Sequence, residues 1–220
     1  MLKYKCFLIA ELSANHGGSL DIAKETVRAA KRAGADAIKL QTYTADTITL
    51  NVRSNHFKIN QGTAWDGQYL YDLYKGASLP WEWHKPLFDL AKQEGLVCFS
   101  SPFDNTAVDF LEELNTPIYK ISSFEITDIP LIKYVASKKK PIIISTGIAT
   151  IEDIELAIKT CKEVGNNDIT ILKCTSAYPA SPEDADLLTI PDIEKRFNVK
   201  SGLSDHTMGI EAPMIAVALG

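Results

Sequence analysis

Apolar residues recur along this chain in short runs, at 7–10, 37–40, 97–99, 118–121, 142–144, 169–172 and 199–203. Runs this short and this continuous suit strands buried on both faces. Between them the apolar positions shift to helical spacing, at 20–33, 81–94, 107–114, 131–137, 151–163 and 190–197, and again at 212–219. Helix start signals support several of these: Asp104 with Asn105 and Thr106, Pro130, and Thr150 with Asp153 three residues later. Strands alternating with helices predict βαβ units and a parallel sheet. One interval, 42–79, is much longer than the rest and carries Tyr43, Trp65, Tyr69, Tyr71 and Tyr74. It is read either as a binding loop after strand two or as a surface excursion with its own aromatic cluster.

The strand ends decide between two parallel architectures. Nearly every run closes on polar, reactive-type residues: Glu11; Lys39 and Gln41; Ser100 and Ser101; Lys120, Ser122 and Ser123; Ser145; Lys173 and Thr175; Ser204, Asp205 and His206. A doubly wound sheet needs such residues only near its switch point. A (β/α)8 TIM barrel brings the C-terminal ends of all its strands to one site. The expectation is therefore an α/β TIM barrel spanning 1–220 as one domain. Seven strands are predicted and the sequence stops where an eighth would begin, so the barrel is expected to be truncated before strand eight.

Composition narrows the class. With 45% hydrophobic and 23% charged residues the chain can bury a sizeable core, which excludes disorder as its main state. No run has the roughly 20 apolar residues of a membrane span. Residues 1–8 lack the apolar stretch of a secretion signal. Four scattered cysteines make no disulfide framework, and a reducing cytoplasm is the expected compartment. A net charge of −5 argues against a nucleic-acid partner.

Lys39, Lys120 and Lys173 lie within or at the end of apolar strands. A buried ammonium needs an anion or a polar network. These lysines, with Ser101, Ser123 and Ser145 as neutral donors, could clamp a phosphate and a carboxylate. Alternatively one of them forms a Schiff base, or each makes an internal ion pair with Glu11 or Glu125. Glu11 and Glu125 are candidates for general acid or base. His206 is a candidate metal ligand, although one histidine is not a metal site. His56 and His84 read as surface residues, and His16 either reaches the site or forms a turn with Gly17 and Gly18. Ser204, Asp205 and His206 make a poor triad, because adjacent residues on a strand end point in alternating directions. Gly17, Gly18 and Gly147 could offer backbone N–H groups to an anion, or simply shape turns.

Seven stretches in chain order carry a resemblance: residues 9–19, 34–43, 100–103, 119–125, 145–147, 173–179 and 202–207. Together they resemble the sialic acid synthase family, and residues 41–44 and 122–125 look most like its pseudaminic acid synthase branch rather than its N-acetylneuraminate or legionaminic acid branches. The resemblance implies condensation of phosphoenolpyruvate with an acylated amino-sugar aldehyde, giving a nonulosonic acid and phosphate with C–O cleavage. It implies a TIM barrel, a manganese or magnesium ion, and a C-terminal antifreeze-like domain swapped across a homodimer, which this chain lacks. By the same resemblance Ser101, Lys120, Ser123, Ser145 and Ser204 bind phosphoenolpyruvate. Lys39, Glu11 and Glu125 match its catalytic positions, Tyr178, Ser176 and Gln41 face the sugar, and His206 is the first metal ligand. Ser176 stands where the sialic acid enzymes carry asparagine, which points to a different sugar. The rival expectations are a Schiff-base lysine aldolase and a non-catalytic fragment.

Overall fold

The structure, a computed structural model, describes residues 6–60, 62 and 65–220. Residues 1–5, part of the segment read above as lacking a leader, lie outside the described residues. The chain divides into two compact units, Phe7–Thr116 and Pro117–Gly220 together with Cys6.

In the first unit three strands, β1 (Ile9–Glu11), β2 (Ala37–Thr42) and β3 (Val97–Pro102), pair in parallel and in chain order. Five helices join them: α1 (Leu20–Arg32), α2 (Ala45–Ile48), α3 (Leu70–Ala77), α4 (Trp81–Gln93) and α5 (Asn105–Glu113). The start signals act as capping chemistry requires. Ser19 accepts from the Ile22 N–H at the start of α1, and Asp104 accepts from Thr106 and Ala107 at the start of α5. One face of β2 and β3, through Ile38, Leu40 and Cys98, is buried with Val27 of α1 and Leu87, Leu90 and Ala91 of α4. Two differences from the sequence reading stand out. The first apolar run pairs only from Ile9, opposite Ala37, and Phe7 and Leu8 are about half exposed. The long interval 42–79 is not one loop: it contains α2 and α3, with Tyr43 packed edge-on against Tyr74 and Phe103.

In the second unit β4 (Tyr119–Ile121), β5 (Ile142–Ser145), β6 (Ile169–Cys174) and β7 (Lys200–Ser204) are also parallel and in chain order. They alternate with α6 (Ile129–Ser137), α7 (Ile151–Glu163), α8 (Thr189–Phe197) and α9 (Glu211–Leu219). A reciprocal capping box between Thr150 and Asp153 starts α7, as the sequence foretells. A doubly wound sheet reverses its strand order at a switch point. Within each unit the strands follow chain order without such a reversal.

Candidate active site

In the first unit β1 and β2 bring three site residues together. Register sets Glu11 beside Lys39, and the Lys39 ammonium lies 2.5 Å from a Glu11 carboxylate oxygen. Gln41, two residues along β2, donates its amide to the same oxygen of Glu11 at 3.2 Å. Lysine and glutamine share a strand face because side chains alternate with a period of two. Lys39 is buried and Glu11 half-exposed, so the buried ammonium is neutralised by a carboxylate that still reaches solvent. The internal ion pair considered for the lysines therefore exists at Lys39. Ser101 pairs in register with Gln41, is fully buried, and its hydroxyl has no hydrogen-bond partner among the described residues.

His84 corrects the sequence reading, which placed it on the surface. It is fully buried and accepts or donates at Nε2 with the Thr42 hydroxyl, 2.8 Å away; Thr42 in turn lies 2.6 Å from the Ser100 hydroxyl. Burial pushes its pKa down to about 4, against the opposing pull of the Pro80, Trp81 and Gln41 carbonyls and the Glu82 charge. The ring is therefore neutral near pH 7. His16 is buried too, and it forms the turn: its Nδ1 accepts from the Gly18 N–H and its Nε2 meets the Ala77 carbonyl. The Gly18 N–H is thus used inside the turn. His56 is exposed, as expected.

The second unit holds the denser cluster. Lys120, at the middle of β4, is buried and donates to the Ser145 hydroxyl at 2.6 Å and to the Ile121 carbonyl at 2.8 Å. Ser123 accepts from the Gly147 N–H at 3.0 Å. Gly147 has to lack a side chain: a Cβ there would lie 2.1 Å from the Ser176 hydroxyl and 2.9 Å from that of Ser123. The Ser176 hydroxyl is buried with no hydrogen-bond partner among the described residues. The hydroxyl of Ser176, a residue expected to face the sugar, lies at this Ser123–Gly147 corner. Glu125 sits in a short 3₁₀ turn, Phe124–Thr127, with Oε2 buried and unbonded. Burial raises its pKa, partly offset by its own backbone N–H and by the Lys120 charge. A carboxyl in that setting is suited to holding a proton.

Beside this corner, register sets Cys174 of β6 opposite Ser204 of β7. The His206 Nδ1 donates to the Thr175 carbonyl at 2.9 Å and lies 3.9 Å from the Cys174 sulfur. Tyr178, largely exposed, stacks on His206 with ring centroids 4.3 Å apart. Burial alone would raise the Cys174 thiol, but hydrogen bonds to His206, Ser123 and Ser204 and the His206 charge bring it down to about 7. Sequence reasoning counted Cys174 only among the cysteines too sparse for disulfides; all four are free thiols. Lys173 is half-buried and donates to the Cys174 carbonyl and the Thr175 hydroxyl. Asp205 accepts from the Thr207 N–H and hydroxyl.

A carbonyl acceptor at Nδ1 fixes the neutral His206 ring with its lone pair on Nε2, the form that ligates metals. Among the described residues no three His, Cys, Asp or Glu side chains cluster to hold a metal ion. The described residues therefore do not by themselves compose a three-ligand metal site.

Each cluster lies at the C-terminal ends of parallel strands, and each presents cations or hydroxyls suited to an anion. Comparison with known proteins supplies the deciding observation. The NeuB family model matches residues 26–220.

The chain belongs to the NeuB family.

Its NeuB sequence is 53% identical over 213 residues to pseudaminic acid synthase of Helicobacter pylori, covering 97% of this chain and 62% of that protein. It is 50% identical over 216 residues to pseudaminic acid synthase of Campylobacter jejuni, covering 98% of this chain and 63% of that protein. The NeuB chain thus spans less than two thirds of the length of these relatives. Among solved structures, the N-acetylneuraminic acid synthetase of Leptospira borgpetersenii in complex with citrate superposes with a TM-score of 0.87 at 30% identity, covering 99% of this chain and 70% of that one. These matches bear out the family and branch that the seven stretches indicated. Among the described residues no helix is long and apolar enough to cross a membrane.

Proposed function

We propose that this chain carries the phosphoenolpyruvate site of a pseudaminic-acid-type synthase, which condenses phosphoenolpyruvate with an acylated amino-sugar aldehyde. The single observation that carries the reading is the Lys120–Ser145 pair beside the Ser123–Gly147 corner. It is a buried ammonium on neutral oxygens next to serine hydroxyls and a backbone N–H, in a chain 53% identical to a pseudaminic acid synthase. Lys120, Ser123, Ser145 and Ser204 are assigned to the phosphate and carboxylate, with Ser101 as a further donor and Ser176 beside them. Charge-assisted hydrogen bonds of this type are roughly twice as strong as neutral ones, which suits a multiply charged ligand on a chain of net charge −5.

In the proposed reaction the methylene carbon of phosphoenolpyruvate attacks the aldehyde carbon, and the aldehyde oxygen takes up a proton. Positive charge develops at the phosphate-bearing carbon. Water adds there and loses a proton, and the C–O bond to phosphate then breaks, leaving the 2-keto acid. Glu11, already accepting from Lys39 and Gln41, suits a proton acceptor. Glu125, held towards its protonated form by burial, suits a proton donor. Tyr178 and Gln41 are assigned to the sugar. The barrel architecture is proposed with these seven strands as the first of eight. The manganese or magnesium site is represented here by His206, and the swapped homodimer would be read from the native mass in solution.

Phosphoenolpyruvate labelled with heavy oxygen in its C–O–P bridge tests the reading. With an acylated amino-sugar aldehyde as acceptor, the released phosphate should retain the label. Label left in the organic product, or borohydride trapping of pyruvate on Lys39, Lys120 or Lys173, would instead establish the aldolase chemistry.

A further inference from the structure

Behind the strand ends of the first unit lies a polar chain that the proposed reaction does not use. Side chains alternate along β2 and β3. Gln41 and Ser101 are register partners on one side, whereas Thr42 and Ser100 point to the other, where Ile38, Leu40 and Cys98 meet the helices. Thr42, Ser100 and His84 are all fully buried in that apolar layer. Three polar side chains in that layer must bond to one another or to the backbone, because a buried polar group is tolerated only when fully bonded.

The bonding directions can be assigned. The His84 Nδ1 lies 3.3 Å from the Pro80 carbonyl, which can only accept. Nδ1 therefore carries the proton, and Nε2 accepts from the Thr42 hydroxyl. Thr42, having donated, accepts from the Ser100 hydroxyl. Every group is then satisfied in one sense, Ser100 to Thr42 to His84 to Pro80. The opposite tautomer would set the Nδ1 lone pair against the carbonyl lone pairs. The chain ties the first turn of α4 to the last residues of β2 and β3. Ser101 makes the consequence sharp. Its hydroxyl has no hydrogen-bond partner among the described residues, so its aim is set by the strand that carries it.

We propose that His84, protonated on Nδ1, is a positioning residue that acts through Thr42 and Ser100 to hold Gln41 and Ser101 in place for substrate. This rests on the reading above that Ser101 and Gln41 meet the phosphoenolpyruvate and the sugar. The test is made on the 220-residue chain with Thr42→Val, which keeps the shape and deletes the hydroxyl, and Thr42→Ser, which restores it. Nitrogen NMR of His84 should show the Nδ1–H tautomer at pH 7. In Thr42→Val, amide exchange at Gln41 and Ser101 should quicken about tenfold while Ile143 and Ile171 stay unchanged. Phosphoenolpyruvate affinity should fall about tenfold, and Thr42→Ser should recover both. His84→Gln, whose amide oxygen can accept from Thr42, should retain more affinity than His84→Phe, which keeps only the packing on Phe110. An Nε2–H tautomer, a rise in exchange spread evenly over the chain, or unchanged exchange in Thr42→Val would overturn the proposal. If the wild-type chain bound no phosphoenolpyruvate while the local exchange effect appeared, the donor-site reading would fail and the tether would stand.

Discussion

The two units handle buried polar groups at their strand ends in opposite ways. In Phe7–Thr116 the groups largely satisfy one another: Lys39 and Gln41 converge on Glu11, and Ser100, Thr42 and His84 form a closed chain ending on a carbonyl. In Pro117–Gly220 the ammonium of Lys120 donates to the Ser145 hydroxyl and the Ile121 carbonyl, and buried Glu125 Oε2 and Ser176 Oγ have no hydrogen-bond partner among the described residues. A network that already holds its counter-charge gains little from an incoming anion, because the ligand must compete with a carboxylate. Lys120 donates to neutral oxygens and acts on a Glu125 carboxyl that burial holds towards its neutral form, so it has more to gain. The second unit is therefore read as the anchor for the anion and the first as a rigid template.

If the first unit is a closed template, the largest effect there should come from charging His84. Its pKa is depressed from 6.5 to about 4, so the unfolded chain binds the proton first and stability falls as pH drops between those values. The stabilisation, about 3 kcal/mol, is fully present above pH 6.5 and is lost by about pH 4. Urea unfolding across that range, repeated with His84→Gln, should show a flatter pH dependence in the variant. An equal slope would break the template picture.

The second unit predicts a smaller, steric effect. Gly147→Ala should cost about 2 kcal/mol, because its methyl would collide with Ser176 and Ser123. Adding Ser176→Gly should restore most of the urea midpoint. If Gly147→Ala alone is neutral, the corner is looser than its distances indicate.

The smallest effect is expected at Glu11→Gln, which removes the partner of Lys39. Glu11 is half-exposed, so water can partly replace it, and the destabilisation should be about 1 kcal/mol by thermal unfolding. A much larger loss would mean that the pair is structural and not a site that a substrate can share.

Much of this was readable before any coordinates. Strand order followed from apolar runs, and the strand-end lysines and serines announced a site because polar residues at the end of a buried strand need a reason. His84 was misjudged because Glu82 and Lys85 flank it and make that stretch look solvated. A signal existed: His84, Leu87 and Ala91 fall at i, i+3 and i+7, the buried face of α4. Ser176 could not be aimed from sequence, since its direction depends on how closely Gly147 lets two loops approach. The lowered pKa of Cys174 gave no sign in the sequence, because it comes from His206, Ser123 and Ser204, all distant along the chain.

The central claim is that Lys120 anchors a phosphoenolpyruvate-type anion, and calorimetric titration of phosphoenolpyruvate into the wild-type chain and Lys120→Ala tests it most directly. The account predicts saturable binding to the wild type and about a hundredfold loss in the variant at an unchanged melting temperature. Equal affinity in the two well-folded proteins would contradict it.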